Sequence, residues 1–307
     1  MSYIERLENL IKGNIKTIVL PESDDERVLE ASKIVEEKGL VKIILLGENY
    51  LNPRTYEDID LMASKLVEIR AGKISLPEAK ELLMTNNMYF AIMLVVLGKA
   101  DGVVSGAKHS SSDTLRPALQ ILKKETITSS FFIMESNDSN LGEDGILLFA
   151  DCGLIQDPTS EELVTIAHDS AESFKSLVGA TPKVAMLSHS TLGSAKGPLV
   201  EKVVKATSLL KNTYPELLVE GELQVDAALN EDIAKRKGAN ISGKSNVLIF
   251  PNLDAGNMAY KLVQIFGHTK AYGPLTQGLS HPVNDLSRGC SVEDIVTVIL
   301  ITAYQAF

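Results

Sequence analysis

Cysteine is scarce in this chain. Cys152 and Cys290 are the only two among 307 residues, too few for a disulfide framework and too far apart for a CxxC metal pair. No signal-peptide pattern precedes them, because Glu5, Arg6 and Glu8 interrupt the first segment, so a reducing cytoplasm is the expected compartment. Long apolar runs are missing too. Met88 to Gly98 and Ile295 to Phe307 are the longest uncharged ones, and both fall short of the roughly 18 to 20 residues that span a bilayer. They read as buried helices. Basic residues are in deficit, with 30 Lys plus Arg against 40 Asp plus Glu and a formal net charge of -10. That balance argues against a nucleic-acid or anionic-membrane surface. It leaves room for a small anionic substrate, since a few clustered arginines make a local positive pocket on an acidic protein. The five histidines show neither an HExxH pair nor regular ligand spacing, so no metal is expected. No GxSxG elbow supports an α/β-hydrolase mechanism. Ser105 and Ser190 fall in turns with nothing to mark either as a nucleophile, and no internal repeat or low-complexity tract is visible.

What is present is an alternation of short β-branched runs with longer stretches of helical period, the pattern of a mainly parallel sheet covered by helices. The fold class is α/β. Helices are expected from Ile4 to Ile11, Asp25 to Lys38, Leu61 to Ala71, after Pro77, Tyr89 to Leu97 and Thr114 to Lys124. Strands are expected at Thr17 to Leu20, Val41 to Leu46 and Gly102 to Ser105. Two further strands, Phe131 to Met134 and Ile146 to Phe149, flank a short polar loop and read as a hairpin. Beyond them the pattern gives helix Glu161 to Leu177, strand Val184 to Leu187, helix Leu199 to Leu210, strand Leu217 to Glu220, helix Val225 to Lys237, strand Val247 to Phe250 and helix Asn257 to Phe266. The main domain boundary is expected near residue 125. Gly273 to Gly289 reads as a loop, and it and the last helix, from Glu293, could belong to either half.

One pattern is a decoy. Gly238, Gly243, Lys244 and Ser245 fit GxxxxGKS, but a phosphate-cradling loop follows a strand and opens a helix, whereas here a helix ends at Lys237 and a strand begins at Val247. Two other loops gather hydroxyls, glycines and an arginine at the ends of expected strands, where open α/β sheets bind ligands. The first runs from Ser105 to Arg116. Its hydroxyls and amides could hold an anion, with Arg116 as a bidentate clamp; alternatively Asp113 or Ser112 merely caps a helix and Arg116 is solvated. The second runs from Asn284 to Asp294. Ser291 and Asp294 there match S-x-x-D, a helix start, so Asp294 could be only a capping partner, while Arg288 lies beside a dipole end favourable to anions.

Taken together, these segments resemble the phosphate acetyltransferase family over the whole chain. The resemblance is carried by ADGVVSGAKHSSSDTLRPALQI from Ala100, LFADCG from Leu148, PKVAMLSHST from Pro182, GSAKG from Gly193, EGELQVDAAL from Glu220, NVLIFPNLDAGNMAYKL from Asn246 and YGPLTQGLSHPVNDLSRGCSVEDIV from Tyr272. It implies two α/β domains with mainly parallel sheets and an interdomain active-site cleft, the last helix returning to the first domain: residues 1–125 with 279–307, and 126–278. It implies a homodimer and catalysis through a ternary complex without metal or a permanently bound cofactor, coenzyme A being a substrate alongside acetyl-CoA, phosphate and acetyl phosphate. By position, Arg70, Arg116 and Arg288 match the family's phosphate and active-site arginines, Ser287 its transition-state serine and Asp294 its proposed base. Ser110, Ser111, Ser112 and Thr114 are the accompanying substrate-binding candidates. The segment between Gly47 and Tyr56 looks shorter than the family's usual one.

In this reading the coenzyme A thiolate attacks the carbonyl of acetyl phosphate and expels phosphate. The difficulty is the proton, since a thiol near pKa 8.5 and an aspartate near 3.9 are poorly matched, so transfer to Asp294 is expected only as sulfur bonds to carbon. Cys290 lies close enough in sequence to raise an acyl-cysteine route, but direct transfer is preferred. The alternatives are a phosphate butyryltransferase or other acyl phosphate transferase with a larger pocket, and a silent acyl phosphate or coenzyme A binding protein. A nicotinamide-dependent decarboxylating dehydrogenase would share the layout, but neither its carboxylate cluster nor a GxGxxG turn is visible.

Overall fold

A computed structural model describes residues 3–239 and 244–307. They form two compact units, Met1–Thr128 with Leu279–Phe307, and Ser129–Gly278.

In chain order the first unit opens with α1 (Tyr3–Ile11), β1 (Lys16–Leu20), α2 (Glu26–Glu37), β2 (Val41–Leu45), α3 (Ile59–Ile69), α4 (Leu76–Thr85), α5 (Asn87–Val96), β3 (Gly102–Ser105) and α6 (Ser111–Ile121). The second unit follows with β4 (Ser129–Glu135), β5 (Ile146–Ala150), α7 (Ser160–Val178), β6 (Lys183–Leu187), α8 (Pro198–Thr213), β7 (Leu218–Leu223), α9 (Val225–Leu229), α10 (Glu231–Lys237), β8 (Val247–Ile249), α11 (Leu253–Phe266) and β9 (Lys270–Gln277). The chain then returns to the first unit with β10 (Val283–Asp285) and α12 (Val292–Gln305).

The first unit's sheet has the order β10-β3-β1-β2, and all three pairings are parallel. β1 and β3 hold its middle with fully buried Ile18, Val19, Val103 and Val104. A core of Met62, Leu66, Leu83, Phe90, Met93 and Leu122 packs together with Val19, Val103 and Val283. Helix α12 is buried at every position from Ile295 to Ala303, as its uninterrupted apolar sequence requires. The second unit's sheet has the order β7-β6-β8-β5-β4-β9. β5, β8, β6 and β7 are mutually parallel, and β4 runs antiparallel to both β5 and β9. The 131–149 hairpin is therefore present.

Three expectations need correction. The segment from 225 to 237 is two helices rather than one, because the Asn230 side chain accepts from the amides of Asp232 and Ile233 and starts a new helix there. The expected loop after Gly273 overlaps β9 and contains β10. Pro274 stands within β9, which lies at the sheet edge, where a proline's missing N–H is tolerated. Helix α6 begins at Ser111, not Thr114, because Ser110 is its cap and the Asp113 amide donates to the Ser110 hydroxyl. For the GxxxxGKS pattern, Gly238 is a left-handed helix terminator and Gly243 lies outside the described residues. Among the described residues no helix is long and apolar enough to cross a membrane.

Candidate active site

All four strands of the first sheet run the same way, so their carboxyl ends share one edge. From β1 the chain moves outward to β2 and, on the other side, to β3, which makes the β1/β3 border the switch point where such sheets bind ligands. Three segments leave the strands there. Glu22 and Arg27 follow β1, Gly106 to Arg116 follow β3, and Leu286 to Asp294 follow β10.

Glu22 organises the second segment. Its carboxylate is 1% exposed. Oε2 accepts from the amides of Gly106 and Ala107 at 2.8 and 2.9 Å, and Oε1 accepts from those of Lys108 and His109 at 3.0 and 2.9 Å. His109 Nδ1 lies 2.6 Å from the same Oε1. Burial alone would raise this carboxyl, but the amides of Lys108, His109 and Ala107 and the His109 ring outweigh it, and it lies below its ordinary value. Four consecutive amides are thereby aimed inward at a carboxylate.

Arg27 organises the third segment. In the first turn of α2, it is held by Asp25, whose Oδ2 accepts from Nη2 at 2.7 Å. Its guanidinium then donates to three carbonyls of other segments: Ala107 at 2.9 Å, Arg288 at 3.0 Å and Cys290 at 2.9 Å. The planar fork suits this task because its donors diverge in fixed directions. One side chain thus pins the loop after β3 to the loop after β10.

On this frame the expected site residues fall as follows. Ser110, Ser111, Ser112 and Arg116 are exposed, and Arg116 Nη2 donates to Ser112 Oγ at 3.1 Å. Thr114 is fully buried, so its hydroxyl is turned inward and does not join the exposed set. Ser287 and Arg288 are exposed, with the Gly289 amide 3.3 Å from Ser287 Oγ. Asp294 is half-buried and completes a capping box, its Oδ2 accepting from the Ser291 amide at 2.9 Å and hydroxyl at 2.8 Å. Among the described residues no hydrogen bond reaches its Oδ1. Arg70 stands apart from these contacts. It lines a cavity of about 510 Å³ with Lys73, Glu78, Glu81, Tyr89 and Gln120, the last lying one turn along α6 from Arg116.

Cys290 is 7% exposed. Burial pushes its thiol up to about 11, the Arg27 charge working the other way without prevailing. At neutral pH such a sulfur is almost wholly protonated and is a poor nucleophile. Among the described residues no group of three or more His, Cys, Asp or Glu side chains could hold a metal.

Sequence reasoning missed Glu22, Arg27 and Asp285. Asp285 is fully buried, at the end of β10 and paired in register with Ser105. Burial raises its carboxyl to about 6; the hydroxyls of Ser111 and Thr114 and the amide of Leu286 offset part of this, and Glu22 adds a like charge. Among the described residues neither carboxyl oxygen has a partner at hydrogen-bond geometry, so these groups act on it from outside that geometry. The only available signal was the polar pair Asn284-Asp285 beside an arginine loop.

The family model described as phosphate acetyl/butaryl transferase matches residues 2–303. The chain is 47% identical to the phosphate acetyltransferase of Acetivibrio thermocellus over 330 residues, covering 100% of this chain and 98% of that one. It is 47% identical to that of Thermoanaerobacterium thermosaccharolyticum over 328 residues, covering 100% of both. The fold is similar to a phosphotransacetylase structure from Streptococcus pyogenes, with a TM-score of 0.93 and 42% identity over 100% of this chain and 99% of that one.

Proposed function

This chain belongs to the phosphate acetyl/butaryl transferase family, and we propose from that premise that the carboxyl edge of its first sheet is where the phosphoryl group is held and released. The chain is an acyltransferase that moves acetyl reversibly between coenzyme A and inorganic phosphate. The acetyl reading is favoured over the butyryl one because relatives at 47% identity carry the acetyltransferase name.

The observation that carries the site assignment is the Arg27 clamp, which ties the Arg116 loop and the Ser287-Arg288 loop through three carbonyls. Two exposed guanidinium groups then serve one anion. At roughly 4 Å and an effective dielectric near 20, each is worth about 4 kcal/mol of Coulomb attraction before desolvation. Ser110, Ser111 and Ser112 supply hydroxyls at the start of α6, where the helix dipole also favours an anion. Thr114 supports them from below.

In the direction of thioester synthesis, coenzyme A sulfur attacks the acyl carbon of acetyl phosphate. The C–S bond forms, the bond from carbon to the phosphoryl oxygen breaks, and phosphate leaves with the electron pair. Ser287 donates to the carbonyl oxygen as it gains charge. The thiol proton passes to Asp294 Oδ1, the oxygen its capping box leaves open, as sulfur bonds to carbon. Direct transfer is favoured over an acyl-enzyme by the buried, strongly protonated Cys290. Arg70 binds an anionic part of a substrate within its own cavity beside Lys73. Coenzyme A is a substrate, and no permanent cofactor or metal is required.

The protein acts in the cytoplasm and as a homodimer. The dimer reading is supported by α11, where only Gly256 is buried while Met258, Leu262, Ile265 and Phe266 are exposed at 59, 54, 65 and 79%. Such an apolar face suits a second copy of this chain.

Purified protein mixed with coenzyme A and acetyl, propionyl or butyryl phosphate, followed by thioester absorbance, tests the reaction. Acetyl phosphate should be preferred. Absence of thioester would remove the transferase reading, and preference for butyryl phosphate would restore the larger-pocket alternative. Asp294→Asn should lower kcat by about 10²–10⁴-fold; near-full turnover by a folded variant would remove the proton-acceptor role.

A further inference from the structure

The chemistry above makes no use of Asp285, yet its setting is unusual for a carboxyl group. Side chains alternate along a strand, so Ser105 and Asp285 share a face with Val103 and Val283, which belong to one core with Ala118 of α6 and Leu122 at its end. Asn284 turns the other way, donating to Thr302 and Gln305 of α12. Asp285 therefore points beneath the first turns of α6, where Thr114 points inward. Ser105, Thr114 and Asp285 are all fully buried. Among the described residues the Ser105 hydroxyl, the Thr114 hydroxyl and both Asp285 oxygens have no partner at hydrogen-bond geometry, although the Thr114 hydroxyl is near enough to Asp285 to favour its charged form. Gly106 closes the site so tightly that a Cβ on it would lie 2.2 Å from Asp285 Oδ1.

Four unsatisfied polar atoms in one buried cluster are a standing cost to the fold. Their position is informative: Asp285 lies two residues before Ser287, and Thr114 two before Arg116. We propose that Asp285 is a positioning residue whose charge controls how tightly the Ser110–Arg116 and Ser287–Arg288 segments hold the acyl phosphate, the neutral carboxyl being the form that binds it. This rests on the phosphoryl-site reading above. An anion captured by these segments opposes a negative charge directly beneath them, so binding favours the protonated side chain.

Other ionisable groups on the surrounding elements are Glu22, Lys108 and His109 beside the switch point, Asp113 and Arg116 on α6, Arg288 in the following loop, and Glu293, Asp294 and Tyr304 on α12. Of these, Glu22 acts on Asp285 as a like charge. The carboxyl ionises near pH 6. Above that pH the anion must restore a proton in order to bind, and affinity falls; below it the side chain is already neutral.

The test is the KM for acetyl phosphate from pH 5 to 8 in the full chain and in Asp285→Asn, which is neutral throughout. The wild-type KM should rise about tenfold for each unit by which anion binding raises the Asp285 pKa. The variant should lack that rise, and the two should converge at low pH. Thr114→Val, which removes a hydroxyl favouring the charged form, should move the wild-type midpoint to higher pH. The proposal is overturned if Asp285→Asn keeps the same limb, or if wild-type KM does not respond near pH 6. Should Asp285→Asn fail to fold, an unmoved midpoint in Thr114→Val overturns it instead. A wild-type protein active but with a flat KM sinks this inference alone, whereas one with no turnover sinks the transferase reading beneath it.

Discussion

Replacing Glu22 by Gln tests the frame on which the site is built. Each carboxylate oxygen accepts from two consecutive amides, Gly106 and Ala107 on one and Lys108 and His109 on the other. A carboxamide keeps one acceptor and turns the other into an NH₂ that faces two N–H donors. Two charge-assisted bonds are lost, worth about 1.5–3 kcal/mol each, so the destabilisation should be about 3–6 kcal/mol. At about 2–4 °C per kcal/mol for a domain of this size, Tm should fall by at least ~6 °C at pH 7. The pH dependence has a definite sign. Glu22 ionises below its ordinary value of 4.5 in the folded protein, so its stabilisation is fully present above that value and is lost as pH falls through the lowered one. Melting temperatures of wild type and variant, read by circular dichroism from pH 3 to 8, should therefore differ most above pH 5 and converge in acid. A variant melting within a degree of wild type at pH 7 would refute the claim that this carboxylate holds the loop.

Three further outcomes follow from particular contacts. Gly106→Ala, which places a methyl 2.2 Å from Asp285 Oδ1 and 2.7 Å from the Leu286 amide at φ +113°, should destabilise the first unit by about 4 kcal/mol or more; a soluble, active variant with unchanged Tm would contradict the packing. Cys290→Ser should retain kcat within about tenfold, since a tenfold loss corresponds to only ~1.4 kcal/mol at the barrier. Loss of all turnover with the fold intact would reopen the acyl-cysteine route. Phe266→Glu should shift sedimentation from dimer to monomer with a stability change within about 0.5 kcal/mol per chain before dissociation is counted. An unshifted dimer would move the interface away from α11.

Much of the local architecture was legible because it is written in short-range pattern. β3 spans Gly102 to Ser105 around the β-branched pair Val103 and Val104, and α2 starts after Asp25, whose side chain caps it. The S-x-x-D match at Ser291 is a capping box in the fold, so Asp294 meets its capping expectation whatever its part in proton transfer. Where pattern misled, the cause was local chemistry overridden or overlooked. The expected loop from Gly273 takes in the end of an edge strand that accommodates Pro274, and Asn230 interrupted a helical period that looked continuous. β10 is only three residues long and has no period to detect. The loops bearing Arg116 and Arg288 stood out as hydroxyl- and glycine-rich strand ends.

The α/β alternation, the apolar cores and the family could be read from the residues alone, because they reside in residue types at spacings of two to four positions and in long ordered motifs. The tertiary structure decided what holds the anion-binding loops. Glu22 reaches amides 84 to 87 positions away, Arg27 reaches carbonyls 261 and 263 positions away, and Asp285 is buried by a helix that precedes it by some 170 residues. A side chain's partner at that separation is chosen by parallel strands bringing their carboxyl ends to one edge, and no local periodicity records that choice.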